Sequence, residues 1–292
     1  MNLKQHNTFS PRQTARAIGV SEASIKRWCD KGKLSYEKTV GGHRRLSLPV
    51  ILGFIQDQGI KLRQPEVLDL PAAVGPGSRT LEQACELYQQ ALEQGDQARS
   101  LQIAFDMRLA GHSMAVIADK VVAPAFHALG ERWQHGDVEV YQERHGVEIT
   151  RRVLLRLKDA LVPPEPDAPL AIGATLSGDP YSLPGLMGEL VLLELGWQAE
   201  FLGSQLPHTT LERAVQDLKP NMLWLSVSSV EDSESFIRAN AQLYALCLEH
   251  QCALVTGGCA LTDSLRPSIK YASFGDNLQH LGAFAQNLNG LR

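Results

Sequence analysis

The stretch PRQTARAIGVSEASIKRWCDKGKLSYEKTVGGHRRL, residues 11–46, decides how the N-terminal part of the chain is read. Pro11 opens a short helix that runs to Ile18, because the first helical turn does not need the N–H that proline lacks. Gly19-Val20 makes a turn. Ser21 stands where an N-cap hydroxyl accepts from the backbone, and a second helix follows to Asp30. Ala15, Ile18, Val20, Ile25 and Trp28 are spaced to pack the two crossed helices together. Gly32-Lys33-Leu34 comes next, then Val40-Gly41-Gly42-His43-Arg44-Arg45-Leu46. Two glycines ahead of three basic side chains suit the tight turn at the tip of a β-wing. Pro49 to Gln58 reads as a third helix, again with proline in its first turn.

Charge separates this head from the rest. Residues 1–63 hold 12 Lys+Arg and 4 Asp+Glu, a balance of +8. The remainder of the 292 residues holds 16 basic and 28 acidic side chains, a balance of −12. A basic head on an acidic body points to a polyanionic partner for the head, provided the fold gathers the charges on one surface.

Composition excludes several classes. The chain is 44% hydrophobic and 21% charged, the balance of a globular protein. No apolar run reaches the roughly 18 residues of a membrane helix, and Met1 to Gln13 lacks the apolar stretch of a signal peptide. Cys29, Cys85, Cys247, Cys252 and Cys259 are odd in number and in no metal-finger spacing, which reads as reduced thiols in a cytoplasmic chain. No nucleophile–base constellation, metal-ligand cluster or phosphate loop is visible. The expectation is therefore no enzyme, no catalytic residue and no metal site.

Two proline-rich stretches punctuate the chain: QPEVLDLPAAVGPGS at 64–78 and LVPPEPDAP at 161–169. They predict a multi-domain protein of three parts: 1–63, 79–160 and 169–292, with linkers at 64–78 and 161–168. The middle part carries helical signals only. Thr80-Leu-Glu-Gln83 has capping-box spacing, Leu81, Ala84, Tyr88 and Ala91 recur at helical intervals, and 113–134 and 138–160 read as two longer helices. A four-helix bundle follows from that pattern. The last part alternates strands (170–176, 198–202, 223–227, 253–256, 271–274) with helices such as 186–195 and 233–250. This predicts an α/β, Rossmann-like (flavodoxin-like) parallel sheet that takes ligands at the carboxyl ends of its strands.

The head resembles the MerR and excisionase-like winged helix-turn-helix families, whose members follow a helix pair with a Gly-Gly-His-Arg wing. The resemblance implies transcription regulation through double-stranded DNA. The recognition helix would be Ser21–Asp30, with Ser24, Lys26, Arg27 and Lys31 facing DNA. His43, Arg44 and Arg45 would reach the backbone or minor groove. Phosphate contacts give affinity, and base-edge contacts give specificity.

Residues 178–207, GDPYSLPGLMGELVLLELGWQAEFLGSQLP, resemble the cobalamin-binding Rossmann-like module and its Asp-x-His-x-x-Gly loop. Asp179, Leu202-Gly203 and Pro207 fall in register. Ser226-Val227-Ser228 and Gly257-Gly258 lie where that family has a Ser-x-Leu or Ser-x-Thr stretch and a Gly-Gly pair that lets a nucleotide tail approach the backbone. Tyr181 stands where the family's histidine ligates cobalt, and Pro184 replaces the motif's glycine, with Gly185 adjacent. A phenol is a poor cobalt ligand in that role, although tyrosine does ligate haem iron.

The middle part resembles the cobalamin-capping bundle of photoreceptor regulators of the CarH/LitR type. Leu129-Gly130-Glu131-Arg132-Trp133 matches Leu-Gly-x-x-Trp, and nine residues then lead to Glu143. The histidine that should follow is Arg144. His145 comes one position later, about 100° round the helix. Trp133 would cover the upper face of a bound tetrapyrrole.

The order of the three parts matches the CarH/LitR type throughout, but both substitutions fall at cobalamin contacts. The expectation is a sequence-specific DNA-binding regulator with a divergent sensor region that does not bind cobalamin in the histidine-ligated form. The cofactor stays unknown. A tetrapyrrole-sensing regulator and a corrinoid carrier of a methyltransferase system are the alternatives. A second copy of the chain is an expected partner, and a membrane is not. Trp133, Glu143, Tyr181, Ser226, Ser228, Gly257 and Gly258 are the candidate small-molecule contacts.

Overall fold

The computed structural model describes residues 8–72, 74, 80–134 and 139–290; the side chains of Trp133, Gln134 and Asn289 fall outside it. Two compact units form: 1–113 with 120–162, and 114–119 with 163–292.

The first unit opens with β1 (Thr8–Phe9), α1 (Pro11–Ile18), α2 (Glu22–Asp30), β2 (Glu37–Lys38), β3 (Arg44–Ser47) and α3 (Leu48–Gln58). Ser10 and Gln13 make a reciprocal capping box on α1. The helix ends at Gly19, whose φ of +81° favours glycine. Ser21 caps α2, accepting from the Ser24 N–H at 3.2 Å. The strands form an antiparallel sheet ordered β1-β3-β2, with Phe9 opposite Leu46 and Lys38 opposite Arg44. Ile25, Leu34, Leu46 and Ile51 are fully buried beneath it. Trp28 is half-buried and stacks on Phe54, ring centroids 4.9 Å apart.

The proline-rich stretch at 64–78 starts as packed structure. Pro65–Leu68 forms a 3₁₀ turn. The N–H groups of Arg63 and Gln64 donate to the Ala17 carbonyl at 2.7 and 3.1 Å, and Leu68 and Leu70 are buried. Proline restricts the backbone there without keeping the leucines in water. Residues 73 and 75–79 of that stretch lie outside the described residues.

Four helices complete the unit: α4 (Leu81–Glu93), α5 (Gln97–Leu109), α7 (Ala123–Gln134) and α8 (Val140–Asp159). The short α6 (Met114–Ile117), between α5 and α7 in the chain, belongs to the second unit. Tyr88, Phe105, Ile103, Met107, Leu129 and Ile149 are fully buried. Tyr88 shares a hydrogen bond of 3.0 Å with Thr150, linking α4 to α8. Arg132 pairs with Glu93 at 2.6 Å, linking α7 to α4. The helix expected over 113–134 is interrupted by a π-helical turn at Ala118–Val122. Pro124 stands two residues beyond it; proline has no N–H to donate and its ring clashes with the carbonyl four residues back, at Lys120 within the turn, so the turn widens.

The second unit is the α/β part. Its strands are β4 (Leu170–Leu176), β5 (Gln198–Leu206), β6 (Met222–Ser226), β7 (Ala253–Gly257) and β8 (Ser273–Gly275). All pair in parallel, in the order β5-β4-β6-β7-β8. Helices α9 (Leu183–Glu194), α10 (His208–Leu218), α11 (Ser233–Glu249) and α12 (Leu278–Gly290) connect and cover them. The expected strands are all present, with shifted ends. Helices α10 and α12 were not among those named from the sequence.

Ile172, Leu223, Leu225 and Leu254 pack with α10 and α11 on one face of the sheet. Ala171, Met222, Trp224 and Val255 pack with Leu192 of α9 and Leu281 of α12 on the other. Gly173 lies opposite Trp224 in the β4–β6 register, and any Cβ there would overlap the indole ring. The first strand, β4, has neighbours on both sides, so the chain's direction of travel across the sheet reverses between β4 and β6. Their carboxyl ends open the crevice where folds of this order place ligands.

Candidate nucleic-acid interface and candidate ligand region

Helix α2 presents Lys26, Arg27 and Lys31 as exposed side chains. Lys26 is held by Glu22 at 2.8 Å, one turn back. Ser24 is half-buried, its hydroxyl 3.0 Å from that of Ser21, so it serves the helix cap. The turn between β2 and β3 closes with the Thr39 N–H donating to the His43 carbonyl and the Gly42 N–H to the Thr39 carbonyl. Gly42 has φ +77°, which is why a glycine sits there. The turn leaves His43 exposed.

The structure divides the wing arginines. Arg44 turns inward. Its Nη1 donates to the Lys26 carbonyl at 3.0 Å, its Nη2 meets the Asp30 carboxylate at 2.7 Å, and its guanidinium lies 4.8 Å from the centre of the Tyr36 ring. Asp30 beside it holds the guanidinium above its ordinary pKa. Arg45, the next residue on the strand, points to the opposite side and makes no ion pair among the described residues.

A groove of about 510 Å³ lies between α1, α2 and the wing, lined by Arg12, Lys26, His43, Arg44 and Arg45 among others, with Glu22 as its one carboxylate. With Asp30 neutralising Arg44 and Glu22 paired with Lys26, its formal balance without His43 is +2, four cations less two anions. Sequence reasoning missed Arg12. The residue follows Pro11 at the start of α1, and only the tertiary fold brings it beside the wing.

In the second unit the loop after β4 is organised by Asp179, which is 2% exposed. Its Oδ1 accepts from the Tyr181 N–H at 3.1 Å and its Oδ2 from the Ser228 N–H at 2.6 Å. Burial raises its pKa, and the backbone donors from Ser228, Tyr181 and Ser229 offset part of that. Tyr181 is 46% exposed. Ser226 is buried at the end of β6, and Ser228 is half-buried. Among the described residues no three His, Cys, Asp or Glu side chains gather as a metal site.

The glycines have internal reasons. A Cβ on Gly257 would overlap the Gly275 carbonyl, and one on Gly258, at φ +137°, would overlap the Val227 carbonyl. Gly185 lies against the Phe201 ring, leaving no room for a side chain. The cofactor implied by the resemblance can be tested against these residues. The loop offers a phenol in place of an imidazole, and the Asp179 carboxylate is already engaged by the backbone. This donor set does not fit a corrin held by a histidine of the β4–α9 loop.

In the first unit, Glu143 is half-buried on α8 with its carboxylate 3.8 Å from the exposed Arg144. His145 lies against Gly95 at the α4–α5 turn, 3.2 Å from where a Cβ would stand. The one-residue displacement turns it toward that corner. Trp133 lies on α7, but its side chain is outside the described residues.

Comparison with known proteins agrees with the resemblance read in the sequence. The family model described as B12 binding domain matches residues 84–158. The HTH-type transcriptional repressor CarH of Myxococcus xanthus is 26% identical over 252 residues, 78% of this chain and 82% of that protein. The HTH-type transcriptional repressor CarA of the same organism is 23% identical over 269 residues, 89% of each. The Methanosarcina barkeri monomethylamine corrinoid protein superposes with a TM-score of 0.60 at 15% identity, covering 72% of this chain and 100% of that one. The last likeness is one of fold. No helix among the described residues is long and apolar enough to cross a membrane.

Proposed function

We propose that the chain is a DNA-binding transcriptional regulator whose body is a divergent cobalamin-binding-like sensor region. The head is read as a winged helix-turn-helix, with α2 entering the major groove and the β2–β3 turn as the wing. The observation that carries the reading is the cationic groove formed by α1, α2 and the wing. Arg27 and Lys31 stand on the exposed side of α2 as candidate base or phosphate contacts, Arg45 and His43 as wing contacts. The relatives named as repressors support the same class, and the body does not hold cobalamin through an imidazole from the β4–α9 loop.

The test is a gel shift of the full chain on its own promoter region, in two salt concentrations, together with the absorbance of a cobalamin-incubated sample after desalting. Salt-sensitive binding with no retained corrin spectrum is the expected result. Absence of binding at low salt overturns the regulator reading.

The match of residues 84–158 to the B12 binding domain favours a second reading, in which the helical segment still caps a corrin without a lower ligand. Stoichiometric cobalamin, retained by the wild type and lost on Trp133→Ala, is its signature.

A further inference from the structure

We propose that Cys247 and Cys252 are a redox site, closing into a disulfide when the chain meets a small hydroperoxide and so tying the end of α11 to the start of β7. The way α11 stops is what pairs them. The helix ends at Glu249, His250 is its C-cap, and Gln251 takes a left-handed φ of +56°. The Cys252 N–H then donates to the Cys247 carbonyl at 2.8 Å, and the Gln251 N–H to the Leu248 carbonyl at 3.2 Å. Those two bonds make a Schellman ending, which brings the side chain beyond the left-handed residue back onto the last helical turn. An apolar pair commonly fills the two places. In this chain both are thiols.

The sulfurs are in contact, sharing a side-chain hydrogen bond. Backbones joined as closely as these stand within the Cα separation that a disulfide spans, so the corner need not refold to close the bond. Both cysteines are free thiols in the core between the sheet and α11, Cys247 1% and Cys252 5% exposed. The other thiols lie elsewhere: Cys29 and Cys85 belong to the first unit, and Cys259 turns to the Ser228 carbonyl at 3.7 Å. Burial pushes the Cys252 thiol up, and its S–H, held toward the Cys247 sulfur, favours the thiolate there. That makes Cys247 the nucleophile and Cys252 the resolving thiol.

One oxidant balances the reaction. The Cys247 thiolate attacks an oxygen of the hydroperoxide and breaks the O–O bond; the departing oxygen takes a proton and leaves as water or alcohol. Cys247 is then a sulfenic acid. The Cys252 sulfur attacks the Cys247 sulfur, the S–S bond forms, and hydroxide leaves with the Cys252 proton as water. Two thiols lose two electrons, and the O–O bond gains them. Burial selects the oxidant, because a molecule the size of hydrogen peroxide enters where alkylating agents and glutathione do not.

The experiment treats the full chain, native and without reductant, with hydrogen peroxide. Catalase removes the excess, and iodoacetamide in guanidinium then labels every remaining thiol. Glutamyl endopeptidase cuts after Glu249, between the two cysteines, so their peptides stay together only through a disulfide. The expected result is that Cys247 and Cys252 lose their labels together and their peptides appear as one linked species. Dithiothreitol added to the unfolded sample should restore both labels. Cys252→Ser keeps a hydrogen-bond donor beside Cys247 and should leave Cys247 as a sulfenic or sulfinic acid with no linked species; a circular dichroism melt shows that the variant is folded. The proposal is overturned if both cysteines keep their labels in peroxide that fully oxidises Cys259. It is equally overturned if either is linked to another cysteine, or if Cys247 keeps its label in a folded Cys252→Ser protein. The wild-type digest needs neither the variant nor DNA, so a failed gel shift leaves it untouched and the two readings fail separately.

Discussion

The division of labour between Arg44 and Arg45 yields the sharpest test of the DNA-binding reading. Arg44 is tied to the Lys26 carbonyl, the Asp30 carboxylate and the Tyr36 ring, all within the head. Its charge is neutralised by Asp30, so replacing it removes no free cation from the surface. Arg45 carries a free one. A protein that neutralises phosphates shows a log–log salt slope of about −0.9 per contact on duplex DNA. Arg45→Ala should therefore flatten the slope by about 0.9, which makes the affinity loss between 50 and 200 mM salt about 3.5-fold smaller than in the wild type. Arg44→Ala should weaken binding at every salt concentration with the slope unchanged, because it releases the wing from α2. Asp30→Asn should weaken the same link and leave one more cation free. Fluorescence anisotropy on a labelled promoter fragment, at four salt concentrations, measures all three. If Arg44→Ala flattens the slope as much as Arg45→Ala does, Arg44 is a phosphate contact and the strut assignment is wrong.

Three further expectations concern the second unit and the thiols. Asp179→Asn turns an amide donor toward the Ser228 or the Tyr181 N–H, whichever way the amide lies, and should cost about 1–3 kcal/mol in urea unfolding. Burial raises the folded pKa of Asp179 above its unfolded value, so its stabilising share is complete below the unfolded pKa and is lost as pH rises through the folded one. The wild-type advantage over Asp179→Asn should thus be largest near pH 4 and shrink toward pH 7; an advantage that grows with pH contradicts the assignment. Gly258→Ala combines a positive φ with overlap on the Val227 carbonyl and should cost about 3 kcal/mol or more, read as a lowered melting temperature. Iodoacetamide should label the exposed Cys259 first and Cys85, whose pKa burial raises, more slowly; Cys29, Cys247 and Cys252 should react only in denaturant, as peptide mass spectrometry can show.

The head was legible in the sequence because its signals are local. Pro11, Ser21 and the Gly41-Gly42 pair each act within a few residues, and the helices and the turn lie where those residues put them. The five strands of the second unit were legible for the same reason, as short apolar runs between breakers. The π-helical turn was not, because Pro124 alone permits a kink, a stop or a bulge, and neighbouring packing selects among them. Helices α10 and α12 went unnamed although Leu211, Ala214, Val215 and Leu218, and Leu278, Leu281, Ala285 and Leu288, recur at helical spacing. At the candidate sites the limit was direction. His43, Arg44 and Arg45 form one basic run in sequence, yet strand pleating sends Arg44 and Arg45 to opposite sides. Arg12 became visible only through tertiary proximity.

Gly257-Gly258 shows why a retained motif is a weak guide to a retained ligand. Read from sequence, the pair leaves room for a nucleotide tail. In the structure, each glycine is already demanded by the protein itself, Gly257 by the Gly275 carbonyl and Gly258 by the Val227 carbonyl and its positive φ. Asp179 behaves alike, since its carboxylate organises the Tyr181 and Ser228 backbone whether or not a metal ligand stands nearby. Residues that the fold needs are kept whether or not a ligand is bound, so their presence does not report one. The informative positions are those the fold does not need: Tyr181, which is exposed and contributes only its N–H, and Arg144, which is 66% exposed on α8. Nothing in the packing forbids an imidazole at either place. On the function proposed above, these two positions, and not the framework around them, are where a change of ligand is to be sought.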